Sequence, residues 1–213
     1  MPFLTSSTFI ILCGKTGSGK SLLLQQLESS GFPVTNLEAI ASHRGSAFGG
    51  LLLPPQPSQH DFELALEKSI LKHASSQYIF IEQKPSSLGK RKIPRWLYSK
   101  MNDGIVVQII VDKNTRINNI LKEYKSAGKE SFIIALHKLK QRLRLTVINE
   151  LEAFLHSENY EAFIERMLDY YDNTSKYYSD KKANITIDVS SFHPVSTTQQ
   201  LLESLKRSNI IIS

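Results

Sequence analysis

The segment Gly14–Ser21, with the sequence Gly-Lys-Thr-Gly-Ser-Gly-Lys-Ser, constrains the fold of this chain more than any other. It matches the phosphate-binding loop pattern G-x-x-x-x-G-K-[ST] in full. The apolar run Thr8–Cys13 precedes it as a buried parallel strand, and helix-period sequence follows from Lys20 to about Glu28. Strand, loop and helix together predict a site for a diphosphate or triphosphate. The predicted phosphate-binding residues are Gly14, Lys15, Thr16, Gly17, Ser18, Gly19, Lys20 and Ser21.

The residue types in this loop each have a chemical reason. Glycines let successive backbone N–H groups point at an anion, and the helix N-terminus adds partial positive charge. Lys20 would reach the terminal phosphates, and the Ser21 hydroxyl would face Mg²⁺. Glu82 ends an apolar run, where P-loop proteins place a carboxylate near the metal or a water. The sequence therefore predicts a Mg²⁺ site at Ser21 and Glu82; Glu38 and Asp112 end other predicted strands nearby.

The order of elements predicts an α/β fold, a P-loop NTPase-like parallel sheet flanked by helices, with an inserted or appended helical block. The further predicted strands are 34–37, 77–82, 104–112 and 185–189, and the flanking helices are 62–71 and 194–207. Apolar spacing predicts three helices in the block, at 117–124, at 136–151 as one long helix, and at 160–171. The predicted divisions are a core at 1–112, the helical block at 113–180, and a strand and helix closing the core at 181–213.

Composition excludes several classes of protein. The chain has 213 residues, 41% hydrophobic and 22% charged, as expected for a globular protein with a real core. One cysteine excludes a disulfide framework and a Cys-rich zinc module. No apolar run approaches the roughly 20 residues that span a bilayer, and no signal peptide is recognisable. These features predict a cytoplasmic protein.

The net charge of +6 is concentrated in the middle of the chain. Residues 84–146 have 15 basic and 4 acidic side chains, whereas residues 147–180 have 2 basic and 8 acidic. Within 84–100, six basic residues accompany Trp96 and Tyr98, a composition typical of RNA contact. A solvated basic surface would have the same composition, so this feature alone leaves both readings open.

Several segments together resemble the P-loop domain of bacterial tRNA 2-selenouridine synthase. The most specific one contains His43, Arg44, Ser46 and Phe48 in the run His-Arg-Gly-Ser-Ala-Phe-Gly. The resemblance extends over roughly residues 8–180. The segments are 14–21, 36–49, 56–59, Phe62-Glu63, Glu82, Leu88-Gly89, Ile93-Pro94, Arg116, Glu123-Tyr124 and 168–172.

The resemblance implies activity on tRNA at the wobble uridine. Members of that family replace the sulfur of 2-thiouridine with selenium from selenophosphate, through an S-geranyl intermediate made from geranyl diphosphate. Catalytic roles are expected for Lys20, Glu82 and Arg44. Leu51, Leu52 and Leu53 would either line an isoprenoid pocket or, as such runs more often do, pack back onto the core. The residues expected to contact substrate or tRNA are His43, Arg44, Ser46, Lys90, Arg91, Lys92, Arg95, Trp96, Lys138 and Arg142.

The sequence also departs from the family pattern. The complete family enzyme has an N-terminal rhodanese-like domain, whereas the P-loop strand here begins within ten residues of Met1, so we expect a separate rhodanese-like partner. The family usually has Asp where Asn36 stands and Gly where Ala39 stands. It usually has acidic residues after the strand-end Glu, where this chain has Gln83-Lys84-Pro85. Loss of two acidic groups beside Glu82 would weaken Mg²⁺ binding or change the donor.

Two other functions remain open from the sequence. One is a small-molecule kinase of the nucleotide-kinase type, with ATP in the P-loop, Glu38 or Arg44 at the acceptor, and the helical block as a lid. The other is an RNA-binding module whose P-loop only senses a nucleotide. The basic middle segment favours an RNA partner over a small acceptor.

Overall fold

The computed structural model describes residues 6–174, 182–189 and 192–210. The strands are β1 (Thr8–Cys13), β2 (Val34–Thr35), β3 (Tyr78–Glu82), β4 (Ser87–Leu88), β5 (Arg91–Lys92), β6 (Ile105–Val111) and β7 (Ile185–Val189). The helices are α1 (Lys20–Ser29), α2 (Leu37–Ala41), α3 (Gln59–Leu71), α4 (Arg95–Asn102), α5 (Lys113–Glu123), α6 (Lys129–His137), α7 (Leu145–His156), α8 (Tyr160–Asp172) and α9 (Pro194–Arg207).

Five strands form one parallel sheet in the order β2-β3-β1-β6-β7. Strand β1 is central, with Ile10 opposite Phe80 of β3 and Ile105 of β6. Strands β4 and β5 form a separate antiparallel hairpin. The predicted fold class, a P-loop-type parallel sheet flanked by helices, is confirmed.

Alternation along β1 explains why helices cover both faces of the sheet. Ile11 and Cys13 pack into one buried cluster with α2, α3 and α4, whereas Ile10 and Leu12 pack into another with α1 and α9. Strands covered on both faces carry continuous apolar sequence, as this one does. The P-loop leaves β1 at its carboxyl end, where parallel α/β sheets bind ligands.

Helices α5 to α8 share a third buried cluster. Phe132 lies near its centre, within 6.1 Å of the rings of Phe48 and Tyr124 and 5.7 Å from that of Phe163. Phe48 comes from the long loop after α2, so the helical block packs on that loop as well as on itself. The predicted helical block is therefore present over the described part of residues 113–180.

Two predicted elements are wrong in extent. The second strand ends at Thr35, because the Asn36 side chain accepts a hydrogen bond from the Ala39 N–H and starts α2. The predicted long helix at 136–151 is two helices, since α6 ends at His137 and the extended backbone of Arg144 precedes α7. Leu139 is buried in the connecting turn, so the apolar spacing continues although the helix does not.

Within the described residues, the helices are all too short or too polar to cross a membrane. The division of the chain at residues 112 and 180 stays a prediction. The predictions for residues 1–5, 175–181, 190–191 and 211–213 fall outside the described part of the chain.

Candidate functional site

The P-loop connects β1 to α1 and is held against the helical block. Gly17 has a φ of +81°, and a Cβ there would lie 2.8 Å from the Arg116 carbonyl oxygen of α5. Asn119 Nδ2 of the same helix donates to the Gly17 carbonyl oxygen at 2.9 Å. The Lys20 ammonium group bonds the carbonyl oxygens of Gly14 and Lys15 at 2.7 and 3.1 Å. The loop thus has the fixed curved backbone that an anion site requires.

A buried ionic cluster lies beside the loop. The Ser21 hydroxyl donates to Glu38 Oε2 at 2.7 Å, and the Glu38 N–H donates to Glu82 Oε1 at 3.1 Å. The Lys84 ammonium group forms ion pairs with Glu38 Oε1 and, at 3.0 Å, with Glu82 Oε2. The Glu82 side chain is fully buried, and that of Lys84 is only 9% exposed. The P-loop hydroxyl is therefore linked to two carboxylates and a buried cation.

The protonation of this cluster follows from its burial and its charges. Burial raises the pKa of Glu82 to about 7, although the charge of Lys84 lowers it. Burial lowers the pKa of Lys84, but the carboxylates of Glu82 and Glu38 raise it more, so that its pKa lies above the ordinary value. Lys84 is therefore a permanent buried cation at neutral pH.

These contacts do not fit a resident Mg²⁺ in this arrangement. Of the two predicted metal ligands, Ser21 is engaged by Glu38, and Glu82 is engaged by Lys84 and a backbone N–H. Among the described residues, no cluster of three or more His, Cys, Asp or Glu side chains is arranged to hold a metal ion. The magnesium requirement stays a prediction.

A cavity of about 580 Å³ opens from the P-loop toward the helical block. Its polar end contains Lys20, Ser21, Glu38, Arg44 and Lys84. Its other end is apolar, and the side chains that line it come from the loop after α2 and from α5, α6 and α8: Phe48, Ile120, Phe132, Phe163, Ile164, Met167, Leu168 and Tyr171. The volume lies in the range of about 300–1,000 Å³ that small-molecule sites have. The cavity therefore suits a ligand with a phosphorylated head and a hydrocarbon tail.

The leucines at 51–53 do not form an isoprenoid wall, and the alternative of core packing holds for Leu51. Leu51 packs into the third core cluster, and Leu52 is exposed, so that the cavity is lined by Phe48 and the helical block rather than by Leu51, Leu52 and Leu53. Aromatic and aliphatic residues of α6 and α8 carried no signal of this role in the sequence, because core packing requires the same residue types at the same spacing.

An ionic brace ties the P-loop to α8. Buried Arg116 forms a bidentate pair with Asp172, with Nη–Oδ distances of 3.0 and 2.7 Å. Arg116 also donates to the Thr16 carbonyl oxygen at 3.2 Å, and Lys15 donates to Asp172 at 3.1 Å. Burial raises the pKa of Asp172, but the hydrogen bonds from Arg116 and Lys15 lower it more, so that its pKa lies below the ordinary value. The geometry of the loop thus depends on a residue at the end of the helical block.

Arg44 is held at the cavity by its neighbours. Its Nε pairs with Glu123 at 2.5 Å, its Nη1 donates to the Leu51 carbonyl oxygen at 2.8 Å, and its guanidinium lies over the Tyr124 ring at 5.2 Å. Ser46 also lines the cavity. Arg44 therefore lines the cavity in a fixed position, while its catalytic role stays a prediction.

Some of the predicted tRNA-contacting residues lie together next to this site. A Cβ on Gly89 would lie 2.7 Å from His43 Cδ2, which places the basic β4–β5 hairpin against His43. Burial lowers the pKa of His43, although the charge of Glu38 raises it. Lys90 and Lys92 of the hairpin are exposed, and so is Lys138, which follows α6.

The other predicted contact residues are placed differently. Arg91 is half-buried, and Arg95 and Arg142 are exposed. Trp96 packs against the buried cluster between the sheet and α2, α3 and α4. Asp112 caps α5 by accepting from the Thr115 N–H at 2.9 Å. Asp112 thus has a structural role, and the tRNA-contact role of Arg91, Arg95, Trp96 and Arg142 stays a prediction.

Comparison with known proteins gives consistent matches. A family model described as the tRNA 2-selenouridine synthase AAA domain matches residues 7–204. The tRNA 2-selenouridine synthase of Nitrosomonas eutropha is 37% identical over 126 residues, which are 57% of this chain and 32% of that protein. The tRNA 2-selenouridine synthase of Shewanella pealeana is 32% identical over 206 residues, 82% of this chain and 55% of that protein. Against these curated relatives, the chain spans between about a third and a half of their length.

Among solved structures, shikimate kinase from Acinetobacter baumannii in complex with shikimate is similar with a TM-score of 0.42 and 16% identity, over 98% of each chain.

Proposed function

The chain belongs to the tRNA 2-selenouridine synthase AAA-domain family, and on that premise we propose that it transfers a geranyl group from geranyl diphosphate to the sulfur of 2-thiouridine in tRNA. One observation carries the proposal: the P-loop opens directly into an apolar cleft between Phe48 and α8. A diphosphate in the loop would place its prenyl chain along that cleft. Replacement of sulfur by selenium, with selenophosphate as donor, would then need a separate rhodanese-like protein.

The proposed transfer requires little covalent chemistry from the protein. A lone pair of the thiocarbonyl sulfur forms a bond to C1 of the geranyl group, the C1–O bond breaks, and its electron pair leaves with pyrophosphate. The N3 proton of the alkylated base passes to water. Lys20, the backbone amides of the loop and Arg44 would stabilise the charge that develops on pyrophosphate, which is the main catalytic demand. The cleft would keep water from the allylic carbon.

The basic residues around His43 support tRNA as the acceptor. Lys90 and Lys92 are exposed on the β4–β5 hairpin, which lies against the loop that carries Arg44 and Ser46 into the cavity, and Lys138 is exposed after α6. Lysine side chains there would bind phosphates of an anticodon arm and leave an unstacked base free to enter the cavity mouth.

Nucleoside mass spectrometry tests the proposal directly. The chain is incubated with tRNA that contains 2-thiouridine and with geranyl diphosphate, and the digested nucleosides are weighed. The expected product is 2-thiouridine heavier by one geranyl group. Bound tRNA without that product would contradict the transfer. Phosphate transfer from ATP to a small acceptor, with no tRNA binding, would favour the kinase alternative.

The apolar cleft predicts that affinity depends on the length of the prenyl chain. Geranyl diphosphate is expected to bind about 30-fold more tightly than dimethylallyl diphosphate, since five further carbons, about half buried, contribute roughly 2 kcal/mol at ~0.8 kcal/mol per CH₂. The two ligands share one head group, so calorimetric titration of both isolates the contribution of the tail. Equal dissociation constants would exclude the cleft as the tail site.

The environment of Lys20 predicts a pH dependence of diphosphate binding. Burial and then the charge of Lys84 lower the pKa of Lys20 to about 8, against the opposing charges of Glu82, Glu38 and Cys13. A bound diphosphate favours the ammonium form, so its affinity is expected to fall by up to about tenfold per pH unit above pH 8 and to be insensitive to this group below it. Titrations of geranyl diphosphate in two buffers of different ionisation enthalpy should show proton uptake near pH 8. Binding without proton uptake there would contradict the prediction.

A further inference from the structure

We propose that the ammonium group of Lys84 takes the place of a divalent cation beside the P-loop, so that this chain binds the diphosphate of its donor without Mg²⁺. The inference rests on the proposed function in one respect, that a diphosphate occupies the P-loop. It concerns how the charge of that diphosphate is neutralised.

The contacts of Lys84 are those that a metal ion would otherwise make. Its ammonium group lies between Glu38 and Glu82, and Glu38 in turn accepts from the hydroxyl of Ser21. Mg²⁺ requires oxygen ligands at about 2.0–2.1 Å in octahedral geometry. An ammonium group 3.0 Å from Glu82 Oε2 occupies the space that such an ion would need.

Lys84 also lines the cavity, whereas its fully buried partner Glu82 does not. Lys84, Lys20 and Glu38 all line the polar end of the cavity, but the fully buried Glu82 is absent from that lining. The carboxylate therefore holds the ammonium group from behind, toward the phosphate end. This is the arrangement of an anchored cation rather than of a surface lysine.

The charges of the cluster beside the P-loop also support Lys84 as the cation that neutralises the diphosphate. Two ammonium groups, those of Lys84 and Lys20, lie beside two carboxyl groups, those of Glu38 and Glu82, so the cluster has no net negative charge at neutral pH. A lysine at position 84 supplies the positive charge that would otherwise have to come from solution. Removal of Lys84 would take one positive charge from beside the loop and so weaken its attraction for a diphosphate.

Calorimetric titration of inorganic pyrophosphate into the full chain, once with Mg²⁺ and once with EDTA, tests the inference. For the natural chain the two dissociation constants, each calculated for free pyrophosphate after its complex with Mg²⁺ in solution is allowed for, should agree within about threefold. The variant Lys84→Met should bind pyrophosphate about tenfold more weakly in EDTA and recover with Mg²⁺, because the freed carboxylates can then ligate the metal. Lys68→Met, which removes an exposed charge in the last turn of α3, should behave as the natural chain.

Three results separate the possible failures. The inference about Lys84 would be overturned if the natural chain bound pyrophosphate tenfold or more weakly in EDTA than with Mg²⁺. It would also be overturned if Lys84→Met bound pyrophosphate in EDTA as tightly as the natural chain does. Both results would leave the diphosphate site itself intact. Failure to bind pyrophosphate under both conditions would instead contradict the proposed function. If Lys84→Met does not fold, Mn²⁺ decides the question on the natural chain. In a mixture of Mn²⁺ and pyrophosphate, the electron paramagnetic resonance signal of the free ion should stay unchanged or rise when the chain is added, because the chain takes up pyrophosphate without the metal. A further loss of the free-ion signal would overturn the inference.

Discussion

The variant Lys20→Ala is expected to lower kcat/KM for geranyl transfer to 2-thiouridine by at least about 100-fold, because a pre-positioned charge aimed at the leaving group is worth about 10²–10³ in rate. In the free protein, the Lys20 ammonium group bonds the carbonyl oxygens of Gly14 and Lys15 and the Ser18 hydroxyl. A diphosphate would replace these acceptors with more negative ones. Quantitative nucleoside mass spectrometry under single-turnover conditions measures the loss.

The fold should survive this change, since Lys20 contributes a desolvated charge rather than apolar packing. The unfolding midpoint of Lys20→Ala is expected to remain within a few degrees of that of the natural chain. Lys72→Ala, at the exposed end of α3, is the matched control and should transfer geranyl groups at the natural rate. Full activity of Lys20→Ala would exclude the P-loop as the site of the leaving group.

The variant Asp172→Ala is expected to lower the free energy of unfolding by about 3 kcal/mol, because it leaves a buried guanidinium without its carboxylate. The Arg116 side chain is 4% exposed and that of Asp172 is 17% exposed, so water compensates little for the lost pair. The same change frees Lys15 and removes the anchor of the P-loop on α8. Diphosphate affinity should therefore fall together with stability.

Urea unfolding followed by circular dichroism measures the first effect, and calorimetric titration measures the second. Glu203→Ala is the control, because its pair with Arg207 joins side chains that are 65% and 80% exposed. Exposed pairs of this kind contribute about 0.3–0.5 kcal/mol. A loss in Asp172→Ala no larger than that in Glu203→Ala would show that the brace contributes nothing to the fold.

The sequence alone was sufficient to predict the part of the site whose residues are contiguous in the chain. Strand β1, the P-loop and α1 follow one another along the chain. The apolar run predicts the strand, the glycines predict the loop, and the helical spacing of apolar residues predicts the helix. The end of α6 and the start of α7 could not be predicted from apolar spacing. Leu139 and Leu143 lie in the turn between the two helices, but their positions continue the helical pattern of apolar residues. Apolar periodicity reports which side chains are buried, and a buried turn satisfies it as well as a helix does.

The rest of the site depends on contacts between distant parts of the chain. Arg116 and Asp172 are 56 residues apart, and neither shows in the sequence that it has a buried partner. Lys84 could be read only as a departure from a family pattern, since its pairing with Glu38 and Glu82 requires the ends of two strands to meet. Such pairings arise from topology, which sequence patterns specify only coarsely.

The attachment of α8 to the P-loop has a consequence for the choice of substrate. One end of this helix is fixed to the loop through Asp172, and its length presents Phe163, Met167 and Tyr171 to the cleft. If a prenyl diphosphate binds as proposed, the distance along α8 from Asp172 would set the length of tail that the cavity accepts. Substitutions that alter the accepted number of isoprene units would thus be found along α8, whereas substitutions in the loop would alter only whether a diphosphate is held.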